Sequence, residues 1–69
     1  MSRDTPLAWA TAKQLAVMNN RMARKDGMTP QAAADLAMRT LENFLLDAGY
    51  GEDLFDKEKD ILHRELLSR

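Results

Sequence analysis

Two Thr-Pro steps punctuate this chain and constrain its fold more than any other feature. Thr5-Pro6 and Thr29-Pro30 each open a long alanine-rich stretch, and the two stretches reach glycines at Gly27 and Gly49. Threonine caps the free amides of a first helical turn, and proline fits the first helical position because its missing N–H has no partner there. Glycine takes the left-handed conformation that ends a helix. The pattern therefore predicts two helices joined by a short turn.

The first helix is predicted from Pro6 to Lys25. Leu15, Met18 and Met22 follow the spacing of one helical face, so we expect them to form its buried side, continued towards the N-terminus by alanines. Asn19 lies at the edge of this face, where a buried polar residue can fix the register of a helix pair.

The second helix is predicted from Pro30 to Ala48 and has the clearest hydrophobic periodicity in the chain. A turn at Gly49-Tyr50-Gly51 follows it, and a third helix is predicted from Asp53 to Leu67. Glu52 and Asp53 place negative charge at the start of this helix, where the helix dipole favours it. The third helix is amphipathic and must cover an apolar surface.

These elements predict an all-α fold, an antiparallel helical hairpin plus a third amphipathic helix, in a single domain spanning residues 1–69. A chain of 69 residues supports only a small core, and it contains no cysteine that could reinforce it through disulfides. Oligomerisation is the remaining source of stability, so we predict a helical homodimer.

The composition narrows the location and the class of partner. No apolar stretch is long enough to span a bilayer, and the N-terminus lacks the apolar region of a secretory signal, so we predict a cytoplasmic protein without membrane contact. The net charge of −1 argues against sequence-independent binding to nucleic acid. Residues 1–28 carry five basic and two acidic side chains, whereas residues 29–69 carry five basic and nine acidic ones. This polarity favours antiparallel self-association or attraction of a charged partner.

Catalytic and metal-binding chemistry is poorly represented. Asp56, Asp60 and His63 share one face of the third helix, but exposed helices with alternating charge often carry such trios. Serines lie only near the chain ends, the threonines before proline are assigned to capping, and no glycine-rich phosphate loop is present. We therefore predict no enzymatic activity, no metal site and no cofactor.

DNA binding is an alternative, because small helical proteins are often helix-turn-helix regulators. The segment from Thr29 to Asn43 suits the first part of that motif, yet it continues as a helix where the motif needs a break. The third helix also opens with acidic residues, which would face DNA poorly. A cluster of Arg21, Arg24 and Lys25 remains available to contact phosphate.

The remaining features favour contacts with another protein. Trp9 and Tyr50 belong to the residue types most enriched at binding hot spots, and several methionines offer an adaptable apolar surface. We predict Trp9 and Tyr50 as apolar anchors, with Arg21, Arg24 and Lys25 as a charged steering group. Trp9 packing on the third helix of its own chain is the competing interpretation.

We therefore expect a small non-enzymatic interaction module that binds another protein and modulates it, most simply by inhibiting it. Small size and the lack of catalytic residues are typical of accessory proteins that phages and mobile elements direct against bacterial host factors. The alternatives are a small DNA-binding transcriptional regulator and an oligomer that binds an anionic nucleotide.

Overall fold

The computed structural model describes residues 4–51 and 53–69, with side chains described from residue 6 onwards. These residues form three α-helices and no strand: α1 spans Asp4–Lys25, α2 spans Pro30–Asp47 and α3 spans Asp56–Ser68. Helices α1 and α2 pack closely along their length, which confirms the predicted all-α hairpin with a third helix. Glu52, predicted in the acidic start of the third helix, lies outside the described residues.

The glycines end both helices of the hairpin as predicted. Gly27 and Gly49 have φ angles of +95° and +93°, in the left-handed region that a residue without Cβ adopts easily. After Gly27, the backbone N–H of Met28 donates to the carbonyl of Ala23 at 3.1 Å, which satisfies one of the free carbonyls of the last turn. The turn therefore needs only a few residues, and α2 returns beside α1.

The two Thr-Pro steps do not act alike. Thr29 caps α2: its Oγ1 accepts a hydrogen bond from the Ala32 N–H at 3.2 Å, and Pro30 is the first helical residue. In contrast, α1 already includes Asp4, so Thr5 lies within the helix rather than before it. Pro6 still falls in the first turn, where a missing N–H breaks no helical hydrogen bond.

Small side chains allow α1 and α2 to approach closely, and α3 adds two leucines to the core between them. The fully or almost fully buried cluster consists of Ala12, Ala16, Ala34, Ala37, Leu41, Leu45, Leu62 and Leu66.

The predicted buried face of α1 is correct at Ala8 and Ala12 but wrong at the two methionines. Met18 and Met22 are 57% and 58% exposed, and the buried face runs instead through Ala12, Ala16 and Ala23. Both sets follow helical spacing, so periodicity alone does not choose between them. The alanine set is buried because α2 presents alanines of its own, and small residues on both sides permit close contact between the helices.

The third helix begins at Asp56, three residues after its predicted start. The preceding residue, Phe55, has a left-handed backbone with φ of +67°, which a helix cannot accommodate. Helix α3 then packs chiefly against α2 and approaches α1 at few points. One side of α1 is therefore left partly uncovered.

Candidate functional site

A groove runs along α1; α3 forms its second wall at the Trp9 end, its middle is lined by α1 alone, and Arg69 contributes at the other end. Three depressions lie in sequence along it, and neighbouring depressions share Lys13, Val17 and Arg21. From Trp9 to Arg24 the helix rises by about 22 Å, or roughly four turns. We call this surface the groove; it is lined on α1 mainly by Trp9, Lys13, Val17 and Arg21 and on α3 by Glu58, Ile61, Leu62 and Glu65.

The floor and one wall of the groove are apolar. Leu62 is buried beneath it, and Trp9 and Val17 are half-buried along α1. Ile61 is 57% exposed on the α3 side, although it is a large aliphatic side chain. Ile61 and Trp9 line the same depression, so together they form a small apolar patch at this end of the groove.

The two predicted apolar anchors lie at one end of the groove, and both pack within their own chain. Phe55 lies between them, with its ring centroid 5.0 Å from that of Trp9 and 6.5 Å from that of Tyr50. All three rings remain half-buried rather than fully enclosed. Trp9 thus contributes to the attachment of α3, as the competing interpretation expected, and it also lines the groove.

The other end of the groove gathers the predicted steering cations. Arg21, Arg24 and Lys25 line a pocket of about 410 Å³. Arg69, the residue that follows α3, lines the same pocket. We call it the basic pocket; its remaining lining residues are Val17 and Asn20. Sequence reasoning missed Arg69, because only the antiparallel path of α2 brings the end of α3 back beside the end of α1.

Arg24 differs from the other cations of the pocket because it also holds the end of α3. Its Nη2 donates to the Leu66 carbonyl at 2.8 Å and to the Leu67 carbonyl at 3.3 Å. The last carbonyls of a helix carry partial negative charge and lack partners within the helix, so a guanidinium satisfies them well. Arg21 and Lys25 are exposed.

Two buried polar atoms of the basic pocket lack a hydrogen-bond partner. Asn20 is 2% exposed and its Oδ1 has none, and the buried Nε of Arg24 has none either. Leaving a buried polar group unpaired costs about 1–3 kcal/mol. Such groups therefore indicate a site that a water molecule or a ligand completes.

The buried polar residue of α1 is Asn20 rather than Asn19. Asn19 is half-buried and its Nδ2 donates to the Leu15 carbonyl of its own helix at 2.9 Å, whereas Asn20 is the buried residue. Asn20 stands four and eight residues after Ala16 and Ala12, so it belongs to the alanine face. The spacing of Ala12 and Ala16 is the sequence feature that could have identified Asn20 as the buried residue.

Two members of the trio Asp56, Asp60 and His63 contact other side chains. His63 Nε2 lies 3.1 Å from Asp35 Oδ1 on α2, and Arg64 Nη2 lies 3.1 Å from Asp60 Oδ2. Within residues 4–51 and 53–69, no group of three histidine or carboxylate side chains is arranged to hold a metal ion. These pairs are exposed, and each contributes at most about 1 kcal/mol to stability.

A second apolar surface lies on α1 beside the groove and shares Met18 with its middle depression. Leu7, Met18 and Met22 are all exposed there, away from the alanine face. We call it the methionine face. The remaining methionines divide, because Met28 is exposed after α1 while Met38 packs against the core.

The segment considered for a helix-turn-helix is continuous. Helix α2 runs from Pro30 to Asp47 without a break, so the turn that this motif needs is missing. Among the helices that the structure describes, none is long and apolar enough to cross a membrane.

No protein-family model, curated protein or solved structure matches this chain. Its function is therefore inferred from the arrangement of its own side chains.

Proposed function

We propose that the protein is a small, non-enzymatic interaction module that binds an amphipathic helix of another protein in the groove that runs along α1. The observation that carries this proposal is the exposed Ile61, which faces the same depression as the half-buried Trp9. An apolar groove between two helices accepts the apolar face of a third, with anchors every three or four residues.

The charges along the groove set the orientation and chemistry of the occupant. Glu58 and Glu65 accompany Lys13 at the Trp9 end, so this end has mixed charge. The opposite end carries the four cations of the basic pocket. We therefore expect a partner helix with apolar side chains along one face and acidic side chains at the end that meets Arg21 and Lys25. Such complementarity mainly raises the association rate and falls with salt.

Binding of this kind modulates the partner by covering one of its helices. A chain of 69 residues without an evident catalytic group suits a cytoplasmic inhibitor that occupies a functional helix of its target. By analogy of size and of the lack of catalytic residues, we propose a phage or mobile-element accessory protein that acts on a bacterial host factor. A second copy of the chain on the methionine face would make the active form a homodimer.

Site-specific photocrosslinking tests the proposal. A photoreactive phenylalanine analogue replaces Ile61 in the full chain, and the matched control carries the analogue at Leu46, which is 44% exposed on α2. Both proteins are irradiated in a nuclease-treated bacterial lysate, and crosslinked peptides are mapped by mass spectrometry. The proposal predicts crosslinks from position 61 to one amphipathic helix with acidic residues at one end. Equal capture from position 46, or crosslinks only to acidic loops, would contradict it.

A further inference from the structure

We propose that the basic pocket is a binding site for a small phosphate monoester, whose phosphate group is held by Arg21, Lys25, Arg69 and Asn20. This site goes beyond the proposed partner binding, because it would take its ligand on the free protein.

The first argument for a phosphate site is the positive charge of the pocket. Four cationic residues line one pocket of about 410 Å³, and no carboxylate side chain is among its lining residues. Only Arg24 has part of its charge committed, since its Nη2 donates to the carbonyls at the end of α3. Arg21 and Lys25 are exposed, so their head groups can move onto a ligand. A dianionic phosphate matches this excess of positive charge better than a single carboxylate does.

The second argument for a phosphate site is the pair of buried polar atoms that lack a hydrogen-bond partner. Asn20 lines the pocket at 2% exposure, and neither its Oδ1 nor the Nε of Arg24 has a hydrogen-bond partner. The unpaired Oδ1 is an acceptor, so Asn20 binds the phosphate by rotating its amide to present Nδ2, which donates to a phosphate oxygen. Cations that served only to solubilise the surface would not require a buried, unpaired asparagine beneath them.

The size of the pocket defines the ligand class. Ligand pockets commonly enclose about 300–1,000 Å³, which is more than a bare phosphate ion needs. Val17 supplies an apolar wall beside the cations. The organic part of a monoester can pack there while its phosphate meets the guanidinium and ammonium groups.

Amide-resolved NMR titration of the full chain tests the site. The probes are inorganic phosphate, adenosine monophosphate and adenosine, each measured against sodium chloride at the same ionic strength. The pocket variant is Arg21→Gln/Lys25→Gln, and the matched control is Arg39→Gln, an exposed arginine of α2 outside the pocket. Circular dichroism establishes that all proteins keep their helices.

We expect saturable shifts around Asn20 and Arg24 with phosphate and with the nucleotide, and none with adenosine or chloride. The double variant should weaken binding by about tenfold or more, as loss of charged hydrogen bonds implies, and Arg39→Gln by less than twofold. Shifts that follow ionic strength alone, or that Arg39→Gln reduces equally, would overturn the site. The crosslinking result at Ile61 does not depend on any of these outcomes.

Discussion

The indole of Trp9 packs on the ring of Phe55, with the ring centroids 5.0 Å apart and the planes tilted by 32°. This contact joins α1 to the residue that starts α3, at the end of the groove opposite the basic pocket. Phe55 is the one non-glycine residue with positive φ among those described. The aromatic contact therefore holds a backbone conformation that phenylalanine adopts reluctantly.

Phe55→Ala should lower the free energy of unfolding by about 2 kcal/mol, because a half-buried ring and its aromatic contact are both lost. Phe55→Gly should be about 1 kcal/mol more stable than Phe55→Ala, since glycine adopts positive φ without a Cβ clash. Chemical denaturation measures both values. Emission of Trp9, the only tryptophan, should shift to longer wavelength in both variants. Equal stability of the two variants would show that Phe55 carries no backbone strain.

Alanine substitutions at Arg24 and Arg21 should distinguish the loss of the Arg24 hydrogen bonds from the loss of a positive charge. Arg24→Ala is expected to cost about 1.5–3 kcal/mol, because a charged donor to the α3 carbonyls disappears. Arg21→Ala removes the same charge from an exposed position and should change stability by less than about 0.5 kcal/mol. Thermal or urea denaturation compares the two. Similar losses in both would mean that the Arg24 hydrogen bonds add nothing to the attachment of α3.

Asn20→Leu should stabilise the protein by about 1 kcal/mol, because a buried amide with an unpaired oxygen is replaced by an apolar side chain of similar size. The same substitution should abolish the phosphate-dependent NMR shifts. Asn19→Leu, on a half-buried neighbour, is the control and should leave phosphate binding unchanged. A destabilised Asn20→Leu protein would indicate that Asn20 is already satisfied by water within the fold.

Self-association should depend on the methionine face. Ala12 and Ala16 are buried within the hairpin and cannot contact a second copy, whereas Met18 and Met22 remain exposed. We expect the wild-type chain to sediment as a dimer at high concentration and Met18→Glu/Met22→Glu as a monomer. Leu46→Glu, which introduces one negative charge on α2, should leave the dimer intact. A monomeric wild-type chain at every concentration would contradict the predicted homodimer.

Local chemistry made the hairpin predictable. The residues that begin and end its helices act through their own backbone and their nearest neighbours, so their effect can be predicted from the sequence. They are Thr29, Pro30, Gly27 and Gly49. The buried face of α1 could not be predicted in the same way. Alanines and large apolar residues both repeat with the helical period, but they lie on different sides of α1. Only the alanine face of α2 decides between them.

The candidate site was predictable in part. The cluster of Arg21, Arg24 and Lys25 is local in sequence, and the structure does place these residues in one pocket. Arg69 reaches the pocket only because three helices return the chain to the same end. The contact of Phe55 with Trp9 likewise joins residues far apart in sequence, so neither periodicity nor capping could reveal it.

The most direct test of the groove is the affinity of the crosslinked partner for two matched variants, Ile61→Glu and Leu46→Glu. Both replace an exposed aliphatic residue by the same acid, but only Ile61 lines the groove. Isothermal titration calorimetry should show at least about a tenfold loss for Ile61→Glu, as burial of a charge against an apolar helix requires, and less than twofold for Leu46→Glu. Unchanged affinity in Ile61→Glu, with its helices intact, would show that the partner binds elsewhere.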